Sequence, residues 1–249
     1  MKIALVSYIN TRPFIDGLQR HFSAEEVEIH ALPPAECAVW LKEKRCEMAL
    51  IPVGSLLDFE NIALLPDYCI GADGAVNSVF IFSQIPIEET DTLLLDRHSR
   101  SSNGLAKVLL KHFWKKEMQF ESSGEKNFAQ IEGKKAGVVI GDKALKIKGQ
   151  YQYVYDLSYY WKQMTGLPFV FAAWAFYEDQ VSPEMQQKIT QALADGILYR
   201  KETAVNAAAD YGLTINQAIE YLEHDIKYEF TDARHLALEK YLGLLKEIH

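Results

Sequence analysis

Residues 2–53 alternate between short apolar runs and amphipathic segments, and this alternation constrains the fold class of the chain. Lys2 to Tyr8 reads as a buried strand, followed by the polar turn Asn10-Thr11-Arg12-Pro13 and a helix from Phe14 to His21. Val27 to Ala31 is a second strand. Pro33-Pro34 suits a helix entry, and Cys37, Trp40 and Leu41 share one face of a helix reaching about Lys44. Glu47 to Val53 is a third strand, and Ser55-Leu56-Leu57 opens another short helix. The order β-α-β-α-β predicts a parallel sheet with right-handed crossovers.

Tyr68 to Gly71 and Val76 to Ser83 read as further strands, and a second unit begins near Pro86. It holds strands at Thr92–Leu95, Gln119–Glu121 and Ala136–Ile140 and a helix over Asn103–Trp114. In the segment Asp156 to Trp174, Gly166 supplies a positive φ and Pro168 blocks helix continuation. The aromatic run Phe169 to Trp174 is then a buried strand, either a plain core strand or a hinge walling a ligand cleft. The segments 184–200, 201–211, 215–226 and 231–246 read as helices. The expectation is two α/β lobes, 1–84 with 173–249 and 85–172, joined by two crossings near 83–86 and 170–175. A ligand cleft is expected between them, near the C-terminal ends of strands.

Composition narrows the function classes. Of the 249 residues, 49% are hydrophobic, enough for a packed core, and the net charge of −8 shows no long run of one sign. Nucleic acid and an anionic membrane surface are therefore not expected partners. An anionic small molecule is still allowed, because local arginines and helix N-termini bind anions inside acidic proteins. The apolar start, Met1 to Val6, is too short for a signal-peptide core, and no stretch is long enough to span a bilayer. The expected location is the cytoplasm, as a monomer or homodimer. Cys37, Cys46 and Cys69 lack CxxC spacing and predict reduced thiols rather than a metal site.

Three strand-to-helix turns concentrate polar groups. Asn10 offers both donor and acceptor and Arg12 a fork for a carboxylate; the alternative is that Asn10 caps the helix and Arg12 is solvated. Ser99-Arg100-Ser101-Ser102 opens a helix with hydroxyls and free amides, either an anion site or a plain N-cap. Gly141-Asp142 allows close backbone approach, with Asp142 either a cap or a hydroxyl ligand. Asn77-Ser78 precedes a strand beside the first crossing. GxSxG, HExxH, Walker and GxGxxG patterns are absent, and the seven histidines form no ligand spacing. His98, in the second turn, is a candidate general base or an ordinary loop residue.

These motifs resemble the chorismate dehydratases of the futalosine route to menaquinone. The resemblance rests on Ser7 to Phe14, Met48 to Val53, Asn77-Ser78-Val79 with Phe82-Ser83, Leu95-Asp96 with Ser99 to Ser102, Ile140 to Leu145, and Asp156 to Trp174. It spans most of residues 1–175, while the C-terminal helices carry little family signal. It implies an α/β, two-lobed fold of the type 2 periplasmic-binding-protein kind (a Venus flytrap) with two hinge crossings and a C-terminal helical tail. It also implies conversion of chorismate to 3-(1-carboxyvinyloxy)benzoate and water with no cofactor and no metal. Asn10 is the expected catalytic residue. Arg12, Ser55, Asn77, Ser78, Ser99, Arg100, Ser101, Ser102, Gly141, Asp142 and Trp174 are the expected substrate contacts. The family varies at Thr11-Arg12, which weakens a catalytic role for Arg12, and Ser101-Ser102 stands where Thr-Ser is usual. The alternatives are the sister enzyme that releases 1,4-dihydroxy-6-naphthoate, a non-catalytic small-anion binding protein, and a ligand-sensing domain.

Overall fold

The computed structural model describes residues 1–97, 99–123 and 127–248. Its elements in chain order are β1 (Lys2–Val6), α1 (Arg12–His21), β2 (Glu28–Leu32), α2 (Pro34–Lys42), β3 (Met48–Pro52), β4 (Ile62–Ala72) and β5 (Val79–Ser83). Then come β6 (Thr92–Asp96), α3 (Arg100–His112), β7 (Gln119–Ser123), β8 (Lys135–Ile140), α4 (Asp142–Ile147), β9 (Tyr153–Asp156) and α5 (Leu157–Thr165). The chain continues through β10 (Phe169–Tyr177), α6 (Pro183–Leu198), α7 (Arg200–Ala207), α8 (Ile215–Glu220), β11 (Lys227–Glu229) and α9 (Asp232–Lys246). The α/β class expected from the alternating pattern is what forms.

Two compact units result. Residues 1–71 with 170–231 carry a six-stranded sheet ordered β11-β4-β10-β3-β1-β2. Here β1 pairs in parallel with both β2 and β3, as the β-α-β-α-β order requires, and β10 pairs antiparallel with β3. Residues 72–169 with 232–249 carry a five-stranded sheet ordered β7-β6-β8-β5-β9. In it β6 is parallel to β7 and β8, and β5 is antiparallel to β8 and β9.

The lobes expected at 1–84 with 173–249 and at 85–172 are corrected in two places. β5 shares its ladder with β8 and β9, so the first division falls before it, at 71/72. Helix α9 belongs to the second unit, and the chain passes between units a third time, at 231/232. The cause is Tyr241, whose fully buried ring meets Trp161 at 6.1 Å and Phe169 at 5.0 Å, both edge-on. An aromatic of this size is anchored by what it packs against, not by the chain order.

Two local features position the turns described below. Helices α1 and α6 approach at Gly17 and Gly196, where a Cβ on Gly17 would lie 2.0 Å from the Ala192 carbonyl oxygen and one on Gly196 1.9 Å from that of Pro13. Asp156 caps α5 by accepting from the Tyr159 amide at 3.0 Å, and Gly166 ends that helix in the left-handed conformation, at φ 75°. Among the described residues, no helix is long and apolar enough to cross a membrane.

Candidate functional site

In the first unit, strand register assembles one edge of the sheet. β1 and β3 run parallel, so the turns after Val6 and after Pro52 emerge at the same edge, and Ala172 of antiparallel β10 lies opposite Pro52. Asn10 follows the first strand in a tight turn, Ile9–Thr11. Thr11 turns its hydroxyl back toward the Tyr8 carbonyl at 2.8 Å and makes no side-chain cap for α1. Asn10 is not a cap either. Its Nδ2 donates to the Tyr221 hydroxyl at 3.2 Å, and its carbonyl accepts from the Tyr228 hydroxyl at 3.0 Å. Burial raises Tyr228 well above the ordinary phenol range, with the neighbouring Tyr221 adding to the shift, so the hydroxyl keeps its proton to donate.

Phe14 joins this cluster to the sheet, meeting Tyr228 at 5.3 Å and Trp174 at 5.5 Å, both edge-on. The Trp174 ring is fully buried, and among the described residues its Nε1 has no hydrogen-bond partner. The same holds for Ser55 Oγ, which follows β3. Buried donors are ordinarily satisfied, and these two unmet ones belong to the expected site residues Ser55 and Trp174. Arg12 faces elsewhere. Its Nε pairs with Asp16 at 2.9 Å, Asp16 accepts from Thr203 at 2.6 Å, and the group borders a surface hollow with Gln19, Arg20 and Asp210.

In the second unit, three of the expected turns meet at one edge. β6 and β8 are parallel, so their C-terminal turns emerge together, and β5 starts at that edge because Val79 lies opposite Ile140. Ser99 occupies the N-cap position of α3 without a side-chain cap bond, which removes the plain N-cap reading. Ser99, Ser101 and Ser102 are buried, while Arg100 is exposed. Asn103 locks the turn by accepting from the Asp96 amide at 3.1 Å and donating to its carbonyl at 2.7 Å. The Ser101 carbonyl accepts from Tyr241 Oη at 2.9 Å.

Gly141, at φ 65°, donates its amide to the Ser78 carbonyl at 2.8 Å, and Asp142 stands in the first turn of α4. Asn77 adopts φ 58°, accepts from Lys148 Nζ at 2.8 Å and donates its amide to Asp156 Oδ2 at 2.8 Å. The Val76 amide reaches the same oxygen at 2.9 Å. Burial pushes the Asp156 carboxyl up to about 6, against the backbone amides of Tyr159, Asn77, Val76 and Ser158, which pull it down. Asn77 is thus tied to a buried carboxylate and one lysine, and Ser78 is tied to Gly141, which directly precedes Asp142.

His98 lies outside the described residues. Among those described, no group of three His, Cys, Asp or Glu is placed to hold a metal ion. Cys37, Cys46 and Cys69 are buried thiols outside any disulfide among the described residues, and burial raises the pKa of both Cys37 and Cys46. The sequence reading missed Tyr221, Tyr228, Tyr241 and Lys148. These act through contacts remote in the chain, for which spacing offers no signal. Asp156 was legible as a cap, since it stands directly before an amphipathic segment.

A family model described as menaquinone biosynthesis matches residues 1–247. The chorismate dehydratase of Thermus thermophilus is 26% identical over 233 residues, covering 81% of this chain and 84% of the relative. A solved structure from Archaeoglobus fulgidus superposes with a TM-score of 0.80 at 16% identity, covering 99% of this chain and 96% of its own. A Candida albicans protein described as having the generic periplasmic binding protein fold gives a TM-score of 0.74 at 14% identity, covering 99% and 90%. The periplasmic aliphatic sulphonate binding protein of Escherichia coli gives 0.66 at 10% identity, covering 99% and 86%. These structures show a periplasmic-binding-protein-like fold and nothing finer.

Proposed function

Because the chain belongs to the menaquinone-biosynthesis family, we propose that it is a chorismate dehydratase, a carbon–oxygen lyase that converts chorismate to 3-(1-carboxyvinyloxy)benzoate and water. The observation that carries this reading is the similarity to the Thermus thermophilus chorismate dehydratase, which extends over more of the chain than either unit alone contains.

The chemistry suits uncharged and hydroxyl-rich turns. The carbon bearing the enolpyruvyl ether loses a proton, and the electron pair is delocalised through the ring double bond onto the ring carboxylate. The neighbouring hydroxyl then leaves, takes up a proton to become water, and the ring becomes aromatic. A protein serving this reaction needs to orient the substrate, hold two carboxylates and exclude bulk water. In this reading Asn10 donates to the leaving hydroxyl or a carboxylate, and the Ser99–Ser102 turn receives a carboxylate. Ser55 and Trp174 offer their unmet donors in the first unit, and Asn77, Ser78, Gly141 and Asp142 are the proposed substrate contacts of the second. The substrate's own enolpyruvyl carboxylate lies near the reacting carbon and takes the proton. The three buried cysteines, none in a disulfide among the described residues, suit a reducing, cytoplasmic setting.

Incubation with chorismate, followed by mass detection, tests this directly. The expected product is lighter by one water and carries the ultraviolet absorption of a substituted benzoate. Recovery of unchanged chorismate, bound or unbound, would return the protein to the class of binding proteins.

A further inference from the structure

Asn10 is gripped from a part of the chain that its own motif does not reach. Tyr221 begins a single π-helical turn, Tyr221–Asp225, directly after α8, and Tyr228 lies in β11. Both rings are 2% exposed, so their positions are set by packing. π turns break the regular helical ladder and recur at functional sites. Tyr228 holds the Asn10 backbone, and Tyr221 accepts from the carboxamide.

We propose that Tyr221 is a positioning residue, holding the Asn10 carboxamide in the one orientation that serves the reaction. A carboxamide on a short side chain has a broad terminal torsion, so without a partner its donor and acceptor ends sweep through many directions. With one Nδ2 hydrogen committed to the Tyr221 hydroxyl, Asn10 Oδ1 and the second amide hydrogen are left in a defined direction for substrate. Reaction rates fall steeply with small misplacements of such donors, so Tyr221 raises turnover without touching substrate. The inference rests on the dehydratase reading and on Asn10 as its catalytic residue.

A double-mutant cycle on chorismate turnover tests it, with the variants Tyr221→Phe, Asn10→Ala and both together. Tyr221→Phe keeps the buried ring and removes only the hydroxyl. It should lower kcat about fivefold, the effect of one hydrogen bond, and leave KM within about twofold. In the Asn10→Ala background the same change should have no further effect on kcat. Multiplicative losses, or full activity of Tyr221→Phe, would overturn the proposal. A purely structural Tyr221 would lower the melting temperature and move kcat equally in both backgrounds. If the unaltered protein does not act on chorismate, the functional reading fails, and the side-chain amide signals of Asn10 in a nitrogen–proton correlation spectrum then decide separately. Tyr221→Phe should collapse or shift those signals if the hydroxyl holds the amide. Unchanged signals would sink the positioning role itself.

Discussion

Tyr241 donates its hydroxyl to the Ser101 carbonyl at 2.9 Å, and a Cβ on Gly104 would lie only 2.4 Å from that same hydroxyl. The last helix of the chain therefore presses on the first turn of α3, where the Ser99–Ser102 hydroxyls gather, and glycine at 104 leaves the room.

Gly104→Ala should consequently lower stability. Alanine gains up to about 1 kcal/mol of helix propensity, but the added methyl overpacks a buried contact, which costs about 1–3 kcal/mol. A net loss is expected in denaturant melts, with a higher KM for chorismate because the turn shifts. A melt equal to or above that of the unaltered protein would show that Tyr241 and Leu245 move aside freely.

Gly17 and Gly196 form a harder constraint, since their missing Cβ atoms would meet backbone oxygens and not flexible side chains. Either residue changed to Ala should destabilise the protein by about 3 kcal/mol or more, because α1 and α6 have to separate. Circular dichroism during urea unfolding checks this. An unchanged midpoint would mean that the close helix approach carries little of the packing of the first unit.

Asp156 makes stability depend on pH in an unusual direction. Its folded-state value of about 6 lies above the usual carboxylate range, so the folded protein holds that proton more tightly than the unfolded chain. The stabilisation it provides is present below about pH 4 and is lost as pH rises through about 6. The span corresponds to roughly 3 kcal/mol. Asp156→Asn should remove this slope, and the difference between the two proteins in urea melts from pH 4 to pH 7 isolates it from the other carboxylates. A difference of opposite sign would mean that the four backbone amides outweigh burial.

Asn10→Ala should lower turnover of chorismate by about 10²-fold, the usual cost of deleting a donor to developing charge. Its effect on melting temperature should be small, because Asn10 caps no helix and Tyr228 grips the backbone, which alanine retains. Full turnover with a large drop in melting temperature would assign Asn10 to folding alone.

Replacing Ser101 and Ser102 together by Ala should raise KM for chorismate several-fold with little change in melting temperature, as expected for lost carboxylate donors. An unchanged KM would remove this turn from the substrate-binding surface.

Local periodicity and turn chemistry were enough to read most elements. β1, β2, β3, α1 and α2 fall within a few residues of the positions expected from the alternation of apolar runs, because each buries a face whose pattern is written in consecutive residues. Shortfalls occur where local signals mislead. β4 runs from Ile62 and not Tyr68 because Pro66, which reads as a strand end, is tolerated inside it. α3 begins at Arg100 and not Asn103 because serines read as turn residues even when they open a helix. β11 is three residues long, too short to show a period.

The sequence by itself determined the α/β class, the polar turns at strand ends and the residues gathered in them, since these follow from spacing and from the preferences of Gly, Pro, Asn and Ser. The tertiary structure alone decided which of those residues act together. It turned Arg12 toward Asp16, denied Asn10 and Ser99 their capping roles, and moved α9 into the second unit. It also set Tyr221 and Tyr228 on Asn10, more than 200 positions away in the chain. Contacts of that range carry no periodicity, because they are selected by the shape and hydrogen bonding of surfaces that exist only once the core has packed.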